Sequence, residues 1–271
     1  MKTAYVLSGG GAKGIFEASV IRELMKAGSK PDFVVGTSAG SLNAMGLRYL
    51  GPDGLMAMWS AIKGRSDILS DHWWKIPFNG SGRYGMGPLK KTLTTLAARN
   101  PATDIEAIAC FVNLRDTLAY YRSSAHHTPA EMVEATLASS AIPFYMEPVS
   151  GYLVDGGVRE IVPIQYAYDR LEDGDEIIVV TCQPVGAQAV DPLDESYPKA
   201  LSYGLRALDI RDHQVLMGNL EVAGDKKISI RLYAPSRYLY GTFDFDPAKL
   251  AMAAAHGIEI VKTGGVTAPG W

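Results

Sequence analysis

The chain has 271 residues, of which 47% are hydrophobic and 20% are charged. This apolar content is enough for a full core, so the composition excludes a disordered, collagen-like or coiled-coil protein. Lysine and arginine number 26 against 29 aspartate and glutamate residues, and the formal net charge of −3 offers no cationic surplus for binding nucleic acid. The length predicts a single α/β domain over residues 1–271.

The sequence predicts neither a secretory signal nor a membrane span. The N-terminal MKTAYVLSGGG has only a short apolar stretch, and no run approaches the roughly 18–20 apolar residues of a transmembrane helix. Cys110 and Cys182 lie in apolar runs, where a free thiol packs as a small hydrophobic side chain, so we expect reduced core cysteines. We therefore expect a cytoplasmic, soluble protein, with peripheral contact to a membrane surface left open.

Short apolar runs alternate with helical patterns along the chain. The predicted strands are 4–8, 33–37, 107–114, 152–154, 177–182 and 228–234. The predicted helices are 15–27, 42–50, 130–139, 163–171, 197–216 and 247–262. Because this alternation is typical of parallel strands joined by crossover helices, we predict a three-layer α/β/α sandwich with a mostly parallel central sheet.

The least regular region is 70–88, which holds two tryptophans, one phenylalanine and four glycines. Apolar side chains in a glycine-rich loop make poor regular structure. Trp73, Trp74 and Phe78 either plug the side of the core or form a mobile apolar flap, and both interpretations stay open.

A glycine loop, GGGAKG at 9–14, stands between the first predicted strand and the first predicted helix. Its backbone N–H groups and the helix N-terminus favour an anion. A dinucleotide site would also need an acid at the end of the second strand, but Asp32 stands before that strand. A P-loop is not matched either, because Gly14 follows Lys13 where Ser or Thr is needed. The loop glycines are Gly9, Gly10, Gly11 and Gly14.

A second motif, GTSAG at 36–40, is a G-x-S-x-G sequence between a buried strand and a helix. This context is typical of a nucleophile elbow, in which Gly36 and Gly40 permit the tight turn and Ser38 is the nucleophile. A serine hydroxyl needs a base to take its proton and donors to stabilise the oxyanion. The amides of Gly10 and Gly11, at the end of the neighbouring strand, are the candidate oxyanion hole.

The base is open from the pattern alone. An α/β-hydrolase supplies a late histidine, but His213 and His256 both lie in helical sequence. Asp155 is better placed, since it ends a short apolar strand and precedes two glycines, although Asp-Gly is also a common turn pair. A free aspartate has a pKa of about 3.9, so an apolar site would have to raise its pKa to make it an effective base.

The motifs GGGAKG, GTSAG and DGG, in this order and with ASSAIPFYMEPV before the last, resemble the patatin-like phospholipase family. Members of the family pair the elbow serine with the aspartate of the D-G-G/A motif and have no catalytic histidine. The resemblance therefore implies a patatin-like fold with Ser38 as nucleophile, Asp155 as base, and Gly10 and Gly11 as oxyanion hole. It extends through 141–149, 155–163 and 232–262.

The chain departs from the family pattern in its loops. Members often begin the glycine loop with Asp where this chain has Ser8, use Arg where it has Lys13, and carry Asn where it has Glu160 and Ile161. These differences affect loop anchoring and substrate fit more than the Ser–Asp dyad.

The resemblance implies a lipid acyl hydrolase that cleaves esters of phospholipids, lysophospholipids or acylglycerols through an acyl-enzyme on Ser38. No cofactor and no metal is expected, because the acidic residues form neither an EF-hand nor an H-E-x-x-H pattern. The alternative is an acyltransferase using the same acyl-enzyme, but such relatives typically have G-H-S-x-G where this chain has Thr37. A non-enzymatic binding module is a third possibility. The expected partners are a lipid or acyl-ester substrate and a transiently contacted membrane surface.

Overall fold

The computed structural model describes residues 1–71, 84–185 and 199–264, with the backbone alone for 199–202 and 204–209. Its strands are β1 (Thr3–Leu7), β2 (Phe33–Thr37), β3 (Ser70–Asp71), β4 (Tyr84–Gly85), β5 (Glu106–Asn113), β6 (Ala119–Ser123), β7 (Leu153–Asp155), β8 (Glu176–Val180) and β9 (Ser229–Tyr233). Its α-helices are α1 (Gly14–Lys26), α2 (Ala39–Ser60), α3 (Gly87–Ala97), α4 (Pro129–Ser139), α5 (Ile164–Arg170), α6 (Lys199–Asn219) and α7 (Pro247–Lys262). Trp73, Trp74 and Phe78 lie outside the described residues, so the plug or flap stays a prediction.

The main sheet has the strand order β6-β5-β2-β1-β8-β9, and β7 also pairs with β5. The four pairs from β5 through β2, β1 and β8 to β9 are parallel. β6 and β7 run antiparallel to β5. β3 and β4 form a separate antiparallel pair. The mostly parallel sheet is as predicted.

Helices cover both faces of the sheet, because the side chains of each central strand alternate between two apolar layers. Tyr5 and Leu7 of β1 pack on one side with residues of α1, α2, α3, α4 and α7. Ala4 and Val6 pack on the other side with residues of α5 and α6. Each fully buried large apolar side chain contributes about 1.5–3 kcal/mol, so both layers hold the sheet. The three-layer α/β/α sandwich is confirmed.

Four elements are missing from the sequence-based prediction, namely the two-residue strands β3 and β4, strand β6 and helix α3, and one helix is longer than predicted. α2 continues past the predicted end at 50 to Ser60, with a break at Gly51, whose φ is 68°, before Pro52. A Gly-Pro pair normally ends a helix, but here the second half resumes and packs against the core. α3 and the edge strand β6 were not predicted. α3 does carry a helical pattern of buried Leu89, Leu93 and Leu96.

Among the helices of the described residues, none combines the length and the apolar character that crossing a bilayer requires. Cys110 and Cys182 are free and buried, as expected.

Candidate active site

Ser38 occupies a sharp turn between β2 and α2. Its backbone has φ 54° and ψ −120°, a left-handed conformation that costs roughly 1–2 kcal/mol for a residue with a side chain. The turn needs glycine on both sides, since a Cβ on Gly36 would collide with the backbone of Gly40. A Cβ on Gly40 would lie 2.6 Å from the carbonyl oxygen of Leu7. Ser38 therefore stands at a tight strand-to-helix turn that requires glycine at positions 36 and 40.

The turn at Ser38 is held by Ser139, a residue that the sequence analysis did not single out. The backbone N–H of Ser38 donates to Oγ of Ser139 at 2.8 Å. Ser139 ends α4 and lies in the ASSAIP segment, whose small residues gave the resemblance but no individual role. The carbonyl of Ser38 accepts from the Ser41 hydroxyl at 2.7 Å. These contacts fix the backbone that carries the serine hydroxyl.

The glycine loop lies beside Ser38, because β1 and β2 are adjacent parallel strands and both end at the same edge of the sheet. The N–H of Gly9 is already used, donating to the Ile161 carbonyl at 3.0 Å. The N–H groups of Gly10 and Gly11 donate to no group among the described residues. Gly11 has φ 57° and lines a cavity together with Ser38. Two unused amide donors therefore stand in the loop next to the serine.

β2 and β7 meet end to end, and this meeting brings Ser38 and Asp155 together. β6 pairs with one edge of β5, and both β2 and β7 pair with the other edge. Along β5, the pairing with β2 ends one residue before the pairing with β7 begins. Thr37 lies opposite Cys110 of β5, and Asp155 lies opposite the next residue, Phe111. Because β7 is antiparallel to β2, the two strand ends point at each other.

Asp155 is buried, being 5% exposed, and burial raises the pKa of its carboxyl group to about 7. The Gly157 N–H, which donates to Oδ1 at 2.7 Å, and the nearby Ser38 side chain lower the pKa, while the charge of Asp212 on α6 raises it further. Oδ2 has no hydrogen-bond partner of good geometry among the described residues. A buried oxygen left in this way costs about 1–3 kcal/mol, and it is free to accept a proton.

A cavity of about 440 Å³ opens beside Ser38. The volume is within the range of small-molecule pockets, roughly 300–1,000 Å³. Most of its wall is apolar, and much of that wall comes from α3 and both halves of α2. The apolar residues on these helices are Leu42, Met58, Trp59, Leu89, Leu93 and Leu96.

The two late histidines are helix residues, as predicted. His213 is half-buried on α6. His256, on α7, lies between a serine and a carboxylate: its Nε2 is 3.2 Å from the Ser236 hydroxyl and its Nδ1 is 3.1 Å from Glu259. The Ser236 backbone N–H also donates to Nε2 at 3.1 Å, so this lone pair is already satisfied. His256 thus joins α7 to the chain that follows β9.

The family model for patatin-like phospholipases matches residues 5–168, which is more than half of the chain. The matched range contains β1, the glycine loop, the elbow and the end of β7. The chain belongs to the patatin-like phospholipase family, whose members are lipid acyl hydrolases.

Among solved structures, the chain is similar to VipD from Legionella pneumophila, with a TM-score of 0.48 and 14% sequence identity. The similarity covers 97% of this chain and 66% of VipD, so the chain spans just under two thirds of that relative. No curated protein matches the chain.

Proposed function

We propose that this chain hydrolyses carboxylic esters of lipids, namely phospholipids, lysophospholipids or acylglycerols, through an acyl-enzyme on Ser38 with Asp155 as the base. The observation that carries the proposal is the end-to-end meeting of β2 and β7: Ser38, with its left-handed backbone, follows β2, and buried Asp155 ends β7. Oδ2 of Asp155 has no hydrogen-bond partner of good geometry among the described residues. The family supports lipid acyl hydrolysis in general.

The dyad can carry both halves of the reaction. Asp155 takes the proton of the Ser38 hydroxyl as Oγ attacks the ester carbonyl carbon, and collapse of the tetrahedral intermediate expels the alcohol, which takes that proton. Water then attacks the acyl-enzyme and gives a proton to Asp155. The acid product leaves as Ser38 recovers its proton, so the enzyme returns to its starting state.

The unused amides of Gly10 and Gly11 support their assignment as the oxyanion hole. Within the described part of the chain neither N–H group has a partner, whereas the Gly9 N–H is bound to the Ile161 carbonyl. Removing one such donor typically costs about 2.7–4 kcal/mol of transition-state stabilisation. This stabilisation exceeds the conformational entropy that the loop glycines lose when the chain folds.

The cavity supports an acyl chain as the group that is bound. Its wall is mostly apolar and includes aliphatic and aromatic side chains of α2 and α3, and Ser38 lines it as well. Each methylene moved from water into such a site contributes about 0.8 kcal/mol. Burial of the Asp155 carboxyl group, which does not line the cavity, raises its pKa separately.

Ser38→Ala and Asp155→Asn test the proposal with a p-nitrophenyl ester of a medium-chain fatty acid. Each should lower kcat by about 10³-fold or more, because one loses the nucleophile and the other loses the base. Ser66→Ala, at an exposed serine, is the matched control and should keep wild-type turnover. Retained turnover in Ser38→Ala would remove Ser38 from the mechanism.

Product analysis with phospholipid, lysophospholipid and triacylglycerol substrates separates hydrolysis from acyl transfer. Release of free fatty acid in the presence of an added alcohol or lysophospholipid acceptor is the expected result. Acyl transfer to the acceptor as the main product would favour the acyltransferase instead.

A further inference from the structure

Glu17 is a fully buried acid that the proposed dyad does not use. It lies in the first turn of α1, directly after the glycine loop, and its exposed fraction is 0%. A buried carboxyl group is costly unless each of its oxygens is hydrogen-bonded. An apolar residue at this position would avoid the desolvation cost. The hydrogen-bond partners of Glu17 therefore indicate what the acid does there.

One carboxyl oxygen of Glu17 contacts the residue at which the glycine loop begins. Oε1 of Glu17 lies 3.2 Å from the hydroxyl of Ser8, the residue that precedes the loop glycines. The same Ser8 oxygen accepts the backbone N–H of Cys182 at 2.8 Å. The side chain of Cys182 packs against Gly10, so this contact supports the loop from below.

The other carboxyl oxygen reaches the helix that begins at the nucleophile. Oε2 accepts from Nδ2 of Asn43, on α2, at 3.0 Å. Nδ2 also donates to the Gly14 carbonyl at 2.8 Å, and Oδ1 of Asn43 accepts from the Trp59 indole at 2.7 Å. Because Trp59 lines the cavity, the chain of contacts runs from the glycine loop to the cavity wall.

Burial raises the pKa of Glu17 to about 8, against hydrogen bonds from Asn43, Cys182 and Ser8 that lower it. The group is therefore mostly a neutral acid at pH 7. A neutral amide of the same shape can replace it, with its oxygen facing Asn43 and its NH₂ group donating to the free lone pair of Ser8 Oγ. The Ser8 hydroxyl proton would then point to the Gly9 carbonyl, 3.1 Å away.

We propose that Glu17 is a positioning residue for ester hydrolysis, which fixes the amides of the glycine loop relative to the Ser38 hydroxyl by joining Ser8 to Asn43. The inference rests on the proposed function. Displacement of an oxyanion donor by about 1 Å can cost roughly 10²-fold in rate. Without Glu17, Asn43 keeps its contacts with the Gly14 carbonyl and the Trp59 indole, so we expect the cavity wall to keep its shape. The effect of losing Glu17 therefore falls on kcat rather than on KM.

The test compares Glu17→Gln with Glu17→Leu on a p-nitrophenyl ester. Glu17→Leu keeps the volume and breaks both links, and we expect its kcat to fall about 10- to 100-fold with KM within twofold of the wild type. Glu17→Gln keeps both links and should stay within about threefold of the wild type in kcat. Glu23→Leu, a less buried glutamate on the same helix, is the matched control and should match the wild type.

Ser8→Ala provides a second variant if Glu17→Leu does not fold, because it removes only the loop end of the chain of contacts; its kcat should fall about 10-fold with KM unchanged. A kcat within threefold of the wild type in Glu17→Leu, or in Ser8→Ala where the former is unfolded, overturns the inference. An equal fall in kcat in Glu17→Gln and Glu17→Leu also overturns it. A rise in KM without a fall in kcat in Glu17→Leu has the same consequence. An inactive wild type, or an active Ser38→Ala, is instead the failure of the proposed function.

Discussion

Asp155 is the residue whose proton affinity decides whether a dyad without histidine can work near neutral pH. An ordinary aspartate, with a pKa of 3.8, is too weak a base to draw a proton from serine efficiently. Burial at the junction of β2 and β7 raises the pKa to about 7, which is the range of a histidine. The apolar surroundings therefore supply the basicity that an imidazole would otherwise provide.

The pH dependence of activity follows from this pKa. The carboxylate form of Asp155 is the active base, so kcat/KM should rise as the pH increases through about 7 and level off above it. A profile between pH 5 and 9 with a soluble ester measures this. A flat profile between pH 5 and 8 would contradict the assignment of Asp155 as the base.

The raised pKa of Asp155 also makes the stability of the fold depend on pH. The carboxyl is neutral in the folded chain up to about pH 7 but ionises above about 3.8 when unfolded, so folding loses stability as the pH rises through this window. Asp155→Asn removes that loss, and its Tm should exceed the wild-type Tm at pH 8 by more than it does at pH 4. Asp225→Asn, at an exposed position, should show no such difference.

Among the elements, α7 carries the arrangement that most resembles a hydrolase triad, yet its geometry indicates a structural role. Nε2 of His256 accepts the backbone N–H of Ser236, and Glu259 is 70% exposed on its side chain. The ring also contacts Phe16 of α1, with centroids 5.9 Å apart. His256 thus connects α7 to α1 and to the segment that follows β9.

His256→Ala should therefore destabilise the fold without touching the chemistry. The change removes the buried ring with its contact to Phe16 and its hydrogen bond to the Ser236 N–H, and we expect the free energy of unfolding to fall by about 1–3 kcal/mol. The kcat of the folded variant should stay within threefold of the wild type, as should that of His213→Ala. A loss of about 10³-fold in either would restore a histidine triad.

The sequence predicted the elements that local pattern determines and missed those that need long-range contact. Apolar runs located β1, β2 and β8 within two residues, and α7 was predicted with its observed bounds. β6, a half-buried edge strand, has no apolar run to reveal it. The cavity wall was also missed, since Gly51 and Pro52 indicate a helix end where α2 in fact continues.

At the scale of the whole molecule, the candidate site depends on one strand of the sheet. β5 pairs with both β2 and β7, so it places two residues that are far apart in sequence at adjacent positions. The sequence indicated Ser38 by its motif and Asp155 by its place at a strand end before two glycines and by the resemblance, but no local pattern shows that their strands meet. Glu17 did leave a signal, as an acid among the apolar residues at the start of α1, yet only the fold identifies its partners.

Labelling with a fluorophosphonate, followed by mass spectrometry of the modified peptide, tests most directly which serine is the nucleophile and which group activates it. We expect a single adduct on Ser38 that is absent in Ser38→Ala. It should form at least about 10²-fold more slowly in Asp155→Asn and at the wild-type rate in His256→Ala. An adduct on Ser236, or equal labelling rates for Asp155→Asn and the wild type, would contradict it.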